Sequence, residues 1–309
     1  MKLSKGLLTA PLLAVSNPGI LGTDAWSQVD AVTAAESNLV VSVSVAQHPT
    51  TAAWDTNFWW HQISLLLEGE MTVQDLDTGA VYVGTEGDVF YFSPGLRAHV
   101  SGAFKYYSVK TPAPTRWVQR ASGKNSLEWL RPEKDVLYPR ATPDEVDKKG
   151  LKALADFGQP RPKIKFIKGG TKVAPVKVDH PGLAVDENWW NIALVNPIDS
   201  NLVLNAGLAR HGSDNAVACD HLWHQMVLIR DGEMISRDLD TGEVFKAHPG
   251  DVFYWPPGLR HSVAGRFQVF AVVTPAPRRW LMTKSGKKQL DLLNLANEIL
   301  FPGSPPSKA

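Results

Sequence analysis

The segment CDHLWHQ at 219–225 gathers Cys219, Asp220, His221, His224 and Gln225. Thiolate, imidazole and amide oxygen together suit a divalent transition metal, and an open coordination position would admit substrate or dioxygen. In a β-strand alternate side chains share a face, so Cys219, His221, Trp223 and Gln225 would form one set while His224 points away. Downstream, GDVFYWPPGLRH adds His261 after a Pro-Gly turn, which can bring an imidazole back from a neighbouring strand.

An earlier stretch, TNFWWHQ at 56–62, ends in the same Trp-His-Gln and lacks the other donors. A shift of 163 positions superposes the two and continues through most of the chain: DLDTG at 75 on 238, GDVFY at 87 on 250, PGLR at 94 on 257, TPAP at 111 on 274. A match this extended indicates two domains of one fold. Between the landmarks lie short runs rich in Val, Phe, Tyr and Trp, broken by Gly, Pro and Asp-Thr-Gly turns, the pattern of an antiparallel sandwich or barrel. The DLDTG segments begin like a calcium loop but lack its later ligands, so they read as hairpin turns.

The second half resembles a cupin, and the whole chain a bicupin with two fused small β-barrels. Cys219, His221, Gln225 and Gly232 occupy the spacing of the first cupin motif, and Gly250, Pro256, Gly258 and His261 that of the second. The chain departs from the family pattern in having Cys219 for the first histidine, Gln225 for the commoner glutamate and Gly265 for an asparagine. The resemblance implies an all-β protein of two jelly-roll barrels, with one divalent metal (Fe, Mn, Ni, Cu or Zn) on His221, Gln225, His261 and Cys219. In the first half the same positions are Thr56, Phe58, Gln62 and Ala98, so that barrel is expected to hold no metal at the usual place.

Each of these residues also has a plainer reading. His221 and His261 could be core histidines, Gln225 a barrel hydrogen-bonder like Gln62, and Cys219 a small buried hydrophobe. A Cys219 thiolate would restore the charge that Gln in place of Glu removes; without it the site is a neutral His-Gln-His set. His61 and His224 recur on the opposite face, which favours structural hydrogen bonds. His48 and His211 recur with no chemistry assigned, and His99 is one residue out of step with His261. Arg97 and Arg260 are expected to brace the Pro-Gly corner or the inter-domain surface. Trp223, Phe253 and Trp255 form an aromatic pocket or merely fill the barrel.

The remaining composition narrows the partners. Thirty-two basic residues offset thirty-one acidic ones without a long basic run, so neither nucleic acid nor an anionic membrane is indicated. A small-molecule substrate and a homodimer are expected. The lone cysteine cannot form an internal disulfide, which fits a cytoplasmic protein. No apolar run approaches the ~18 residues of a membrane span. The N-terminal MKLSKGLLTAPLLAVSNPG resembles a signal peptide, but the repeat places its counterpart mid-chain at IKFIKGGTKVAPVKVDHPG, which favours domain structure.

The expected layout is a barrel over 1–121, a linker over 122–163, the metal-binding barrel over 164–283, and a tail over 284–309. Thr142, Pro143 and Glu145 predict a linker helix ending near Gly158, and KKQLDLLNLANEIL a C-terminal helix. Three functions remain open: an oxygenase acting on a small aromatic or enolic molecule, a non-oxidative metal-dependent lyase, decarboxylase or isomerase, and a non-enzymatic binding protein.

Overall fold

The computed structural model describes residues 1–14, 26–38, 40–58, 60–113, 163–177, 189–196, 199–200, 203–220 and 223–276. Both expected helices, at 142–158 and beyond 284, lie outside these. Among the described residues the chain is β-structure with one short 3-10 turn, Gly170–Lys172.

Each repeat curls into an antiparallel barrel whose strands alternate between two apolar environments. In His61–Asp75, Ile63 and Leu65 face a core shared by both repeats, while Leu66, Met71 and Val73 face the interior of the first barrel. In His224–Gly232, Met226 and Leu228 join the shared core, and Val227 and Ile229 the interior of the second barrel. The period-2 pattern thus buries both faces, which explains the strands' nearly unbroken apolar character.

In the first barrel, Val89–Phe92, His61–Asp75, Phe104–Thr111, Ser42–His48 and Ser27–Val32 pair in that spatial order. Val252–Trp255, His224–Gly232, Arg260–Thr274, Asn205–Asp220 and Trp189–Val195 repeat it in the second. One edge strand of each sheet comes from the other repeat. Lys2–Ser4 pairs with Val252–Trp255, and Ile164–Ile167 with Val89–Phe92. The spans 1–121 and 164–283 therefore each lend their first strand to the opposite barrel.

Two glycines show why the repeat keeps its landmarks. Gly232, the first-motif glycine, has φ +76, and a Cβ there would lie 2.0 Å from the Arg266 carbonyl oxygen. Gly265, where the family pattern has asparagine, has φ +101, and its Cβ would lie 2.3 Å from the Glu233 carbonyl oxygen. Only glycine meets both demands without strain.

The recurrent histidines are structural. His48 Nδ1 donates to the Gly102 carbonyl at 2.9 Å and His211 Nδ1 to that of Gly265 at 2.7 Å, each tying a strand to the barrel end. His61 Nδ1 lies 2.8 Å from the Tyr91 hydroxyl, and His224 Nδ1 lies 2.7 Å from that of Tyr254. The DLDTG segments are turns in which the first aspartate, Asp75 or Asp238, accepts two backbone N–H bonds. Arg97 and Arg260 pair with Asp77 and Asp240 of these turns, so their anchor is the hairpin turn and not the inter-domain surface.

Candidate active site in the second barrel

The antiparallel register sets Cys219 directly opposite His261, and His261 opposite Asp238 on its other side. His261 alternates with Val263, Phe267 and Val269, which line the interior of the second barrel, and it is 0% exposed. Its ring lies against Trp255, with centroids 4.2 Å apart. Gln225 stands in register with Trp255 from the next strand. Trp255 therefore adjoins both the His261 ring and the strand carrying Gln225. His221 and the Cys219 side chain lie outside the described residues.

Gln225 is 8% exposed, and its Oε1 accepts a hydrogen bond from Trp223 Nε1 at 3.2 Å. The first barrel repeats this contact, Trp60 Nε1 donating to Gln62 Oε1 at 3.0 Å. The contact is thus part of the duplicated scaffold, yet the amide oxygen keeps a second lone pair for a metal. Buried inward-facing His261 and Gln225 fit a divalent transition metal in donor chemistry. Among the described residues no group of three or more His, Cys, Asp or Glu forms a metal cluster. His99, in contrast, pairs at the surface with Asp55, while its neighbour Ala98 fills the position matching His261.

Beside Gln225 lies a small, partly open cavity of about 30 Å³. Trp189 and Trp255 contribute rings, Val269, Ala271 and Val273 an apolar wall, and Asn191, Asn205 and Gln225 the polar groups. Of the three aromatic residues expected at a pocket, Trp255 lines it. Phe253 is sunk in the core against Phe245 and Trp255, and Trp223 turns its N–H to Gln225.

The first barrel explains why the space exists. At the positions matching Gly207, Val269, Ala271 and Val273 it carries Ser44, Tyr106, Ser108 and Lys110. Lys110 is 4% exposed, and its Nζ donates to Ser44 Oγ and Ser108 Oγ at 3.4 and 3.2 Å. Burial pushes its ammonium down to about 8, against the opposing pull of Asp30. Larger polar side chains occupy from within what the second barrel leaves open. Asn205 and the Val-for-Lys exchange were missed by sequence reasoning, although the 163-residue alignment displays them.

No family profile matches the sequence. No curated protein matches it either. Solved structures do resemble it. A putative glyoxylate-induced protein from Pseudomonas aeruginosa superposes with a TM-score of 0.57 at 10% identity, covering 91% of each chain. The protein Ylba from E. coli gives 0.53 at 9% identity over 89% of this chain and 91% of its own. A serine-to-alanine mutant of Bacillus subtilis oxalate decarboxylase gives 0.51 at 13% identity over 89% of this chain and 77% of its own. These identities establish fold alone, and the coverage spans both barrels. The chain thus has the fold expected of a bicupin, two jelly-roll barrels in one polypeptide.

Proposed function

We propose that the chain is a metal-dependent cupin enzyme working in its second barrel on a small, largely apolar molecule, and that its chemistry is that of an oxygenase on an aromatic or enolic substrate. The observation that carries this reading is the cavity beside Gln225 and Trp255, whose counterpart in the first barrel is filled by Lys110, Ser108 and Tyr106. One barrel keeps the donors and the space together. The fold's likeness to oxalate decarboxylase agrees with metal-dependent chemistry in general.

His221, Gln225 and His261, with or without Cys219, would hold the metal, which when bound would supply Lewis acidity or redox capacity. The chain's own contribution is positioning. Trp255 braces the His261 ring, Trp223 fixes the Gln225 amide, and the apolar wall excludes water from the bound molecule.

The test combines elemental analysis of the purified protein with oxygen-uptake assays against phenolic and diketone compounds. Metal content near one per chain with substrate-dependent oxygen consumption supports the proposal; conversion without oxygen consumption supports the lyase class instead. A homodimer belongs to the same proposal, and light scattering at micromolar concentration tests it.

A further inference from the structure

The two repeats differ along one sheet edge. In the first barrel the strand Val81–Thr85 pairs, among the described residues, with His61–Asp75 alone; Val244–Ala247 holds the same place in the second and pairs with Met234–Asp238 alone.

Hydrogen-bond alternation shows which main-chain groups the first edge leaves open. The Asp75 N–H donates to the Ala80 carbonyl, whereas the Leu76 N–H turns the other way, to Arg97. With Val73 opposite Tyr82 and Met71 opposite Gly84, the even-numbered residues of the edge strand bond inward, and the N–H and C=O groups of Val81, Val83 and Thr85 point away from the sheet. A turn takes up Thr85, whose N–H donates to Asp88 Oδ2 and whose carbonyl accepts from the Asp88 N–H. Among the described residues no strand pairs with Val81 and Val83 on that side.

Their side chains are 56% and 46% exposed. The second barrel protects the equivalent edge, because Lys246 replaces Val83 and its ammonium lies 3.7 Å from Glu233. An edge lysine opposes strand pairing, since association would strip water from its charge. The first barrel has a valine there instead.

Charge sets the direction of a partner. At the turn end of the edge Arg97 and Lys163 bind Asp77, and at the far end Glu70 and Glu86 are exposed. A second copy running antiparallel brings the acidic end of each strand to the basic end of the other. In the second barrel Pro249 stands in place of Glu86, so this complementarity is weakened there.

We propose that two copies of the chain associate edge to edge through Val81–Thr85, joining their first barrels in one continuous sheet. A two-fold axis at Tyr82 sets Val81 opposite the partner's Val83, and the two such pairs exchange four backbone hydrogen bonds. This gives the expected homodimer its contact surface and rests on no feature of the metal site.

The test combines sedimentation equilibrium with amide hydrogen exchange on the intact chain over a range of micromolar concentrations. The wild type is expected to dimerise. Exchange at the Val81 and Val83 amides should slow as concentration rises, while that at Val244 and Lys246 stays constant. Val83→Lys, which copies the second barrel's own residue at an exposed position, should weaken dimerisation about tenfold or more. Val244→Lys should leave it unchanged. A monomer at every concentration, or equal weakening by the two variants, would overturn the proposal. So would protection of Val81 and Val83 that is independent of concentration, because the chain's own residues would then cover the edge. The exchange measurement on the wild type decides the matter even where a variant does not fold. A dimer unaffected by Val83→Lys would keep the homodimer and remove this contact, whatever the metal and oxygen assays give.

Discussion

Thr111 Oγ1 and Thr274 Oγ1 lie 3.4 Å apart, although 163 residues separate them in the chain. Equivalent atoms of the two repeats can meet only near the axis relating them. Around this contact Val43, Ile63, Tyr107 and Val109 of the first repeat share one core with Ala206, Met226, Phe270 and Val272 of the second.

A fragment of residues 164–309 would expose that core and lose the strand Lys2–Ser4 from its sheet. It is expected to aggregate or unfold, as size-exclusion chromatography would show. In the intact chain, deleting residues 1–4 should reduce amide hydrogen-exchange protection at Val252–Tyr254 in the second barrel. Loss confined to the first barrel would contradict the exchange of strands.

The Lys110–Asp30 arrangement makes stability depend on pH. Folded Lys110 titrates near 8 and unfolded lysine near 10.5, so between these values the unfolded chain binds more protons. The penalty of burying the ammonium is fully present below about pH 8 and is relieved as pH rises toward 10.5, by on the order of 3 kcal/mol. Burial raises the Asp30 carboxyl above its usual range, which affects a separate, more acidic window. Urea midpoints of wild type and Lys110→Met should move further apart with rising pH across that interval, because only the wild type gains stability. Lys110→Met alone is expected to cost ~3 kcal/mol near neutrality, because it strands Asp30. Asp30→Ala with Lys110→Val, the second barrel's own residues, should cost much less than the sum of the single changes.

Gln62 and Gln225 separate scaffold from site. Replacing either with Leu deprives a buried tryptophan N–H of its acceptor and should cost about 1–2 kcal/mol in each barrel. Only Gln225→Leu is expected to lower metal content. Equal metal content in the two variants would reduce Gln225 to the structural role its counterpart has.

Cys219→Ser tests charge compensation at the site, since serine is close in size but a poor substitute for a thiolate. If the thiolate ligates, the variant should lose both metal affinity and the sulfur shell in metal X-ray absorption. Unchanged values would leave the neutral His-Gln-His set.

The barrels were legible because their constraints are local: Gly232 and Gly265 need positive φ and close backbone approach, and Asp75 and Asp238 close turns with their own side chains. The exchange of Lys2–Ser4 and Ile164–Ile167 was not, since an internal repeat shows that two segments are alike without showing which copy each one pairs with. Site residues were found through motif spacing, which selects donors. Asn205 and Val273 belong to no motif, and their meaning emerges only when the alternating faces reveal which differences between repeats point inward.

The proposed function requires a metal in the second barrel and none in the first. Ala98 occupies the position of His261 in the first barrel without loss of the fold, so His261→Ala should leave the structure largely intact. The decisive measurement is metal content per chain, by elemental analysis, of the purified wild type and of the His221→Ala and His261→Ala variants. About one metal is expected in the wild type, with a large loss in each folded variant. Two tightly bound metals, or full occupancy after either replacement, would contradict the assignment of the metal to the second barrel.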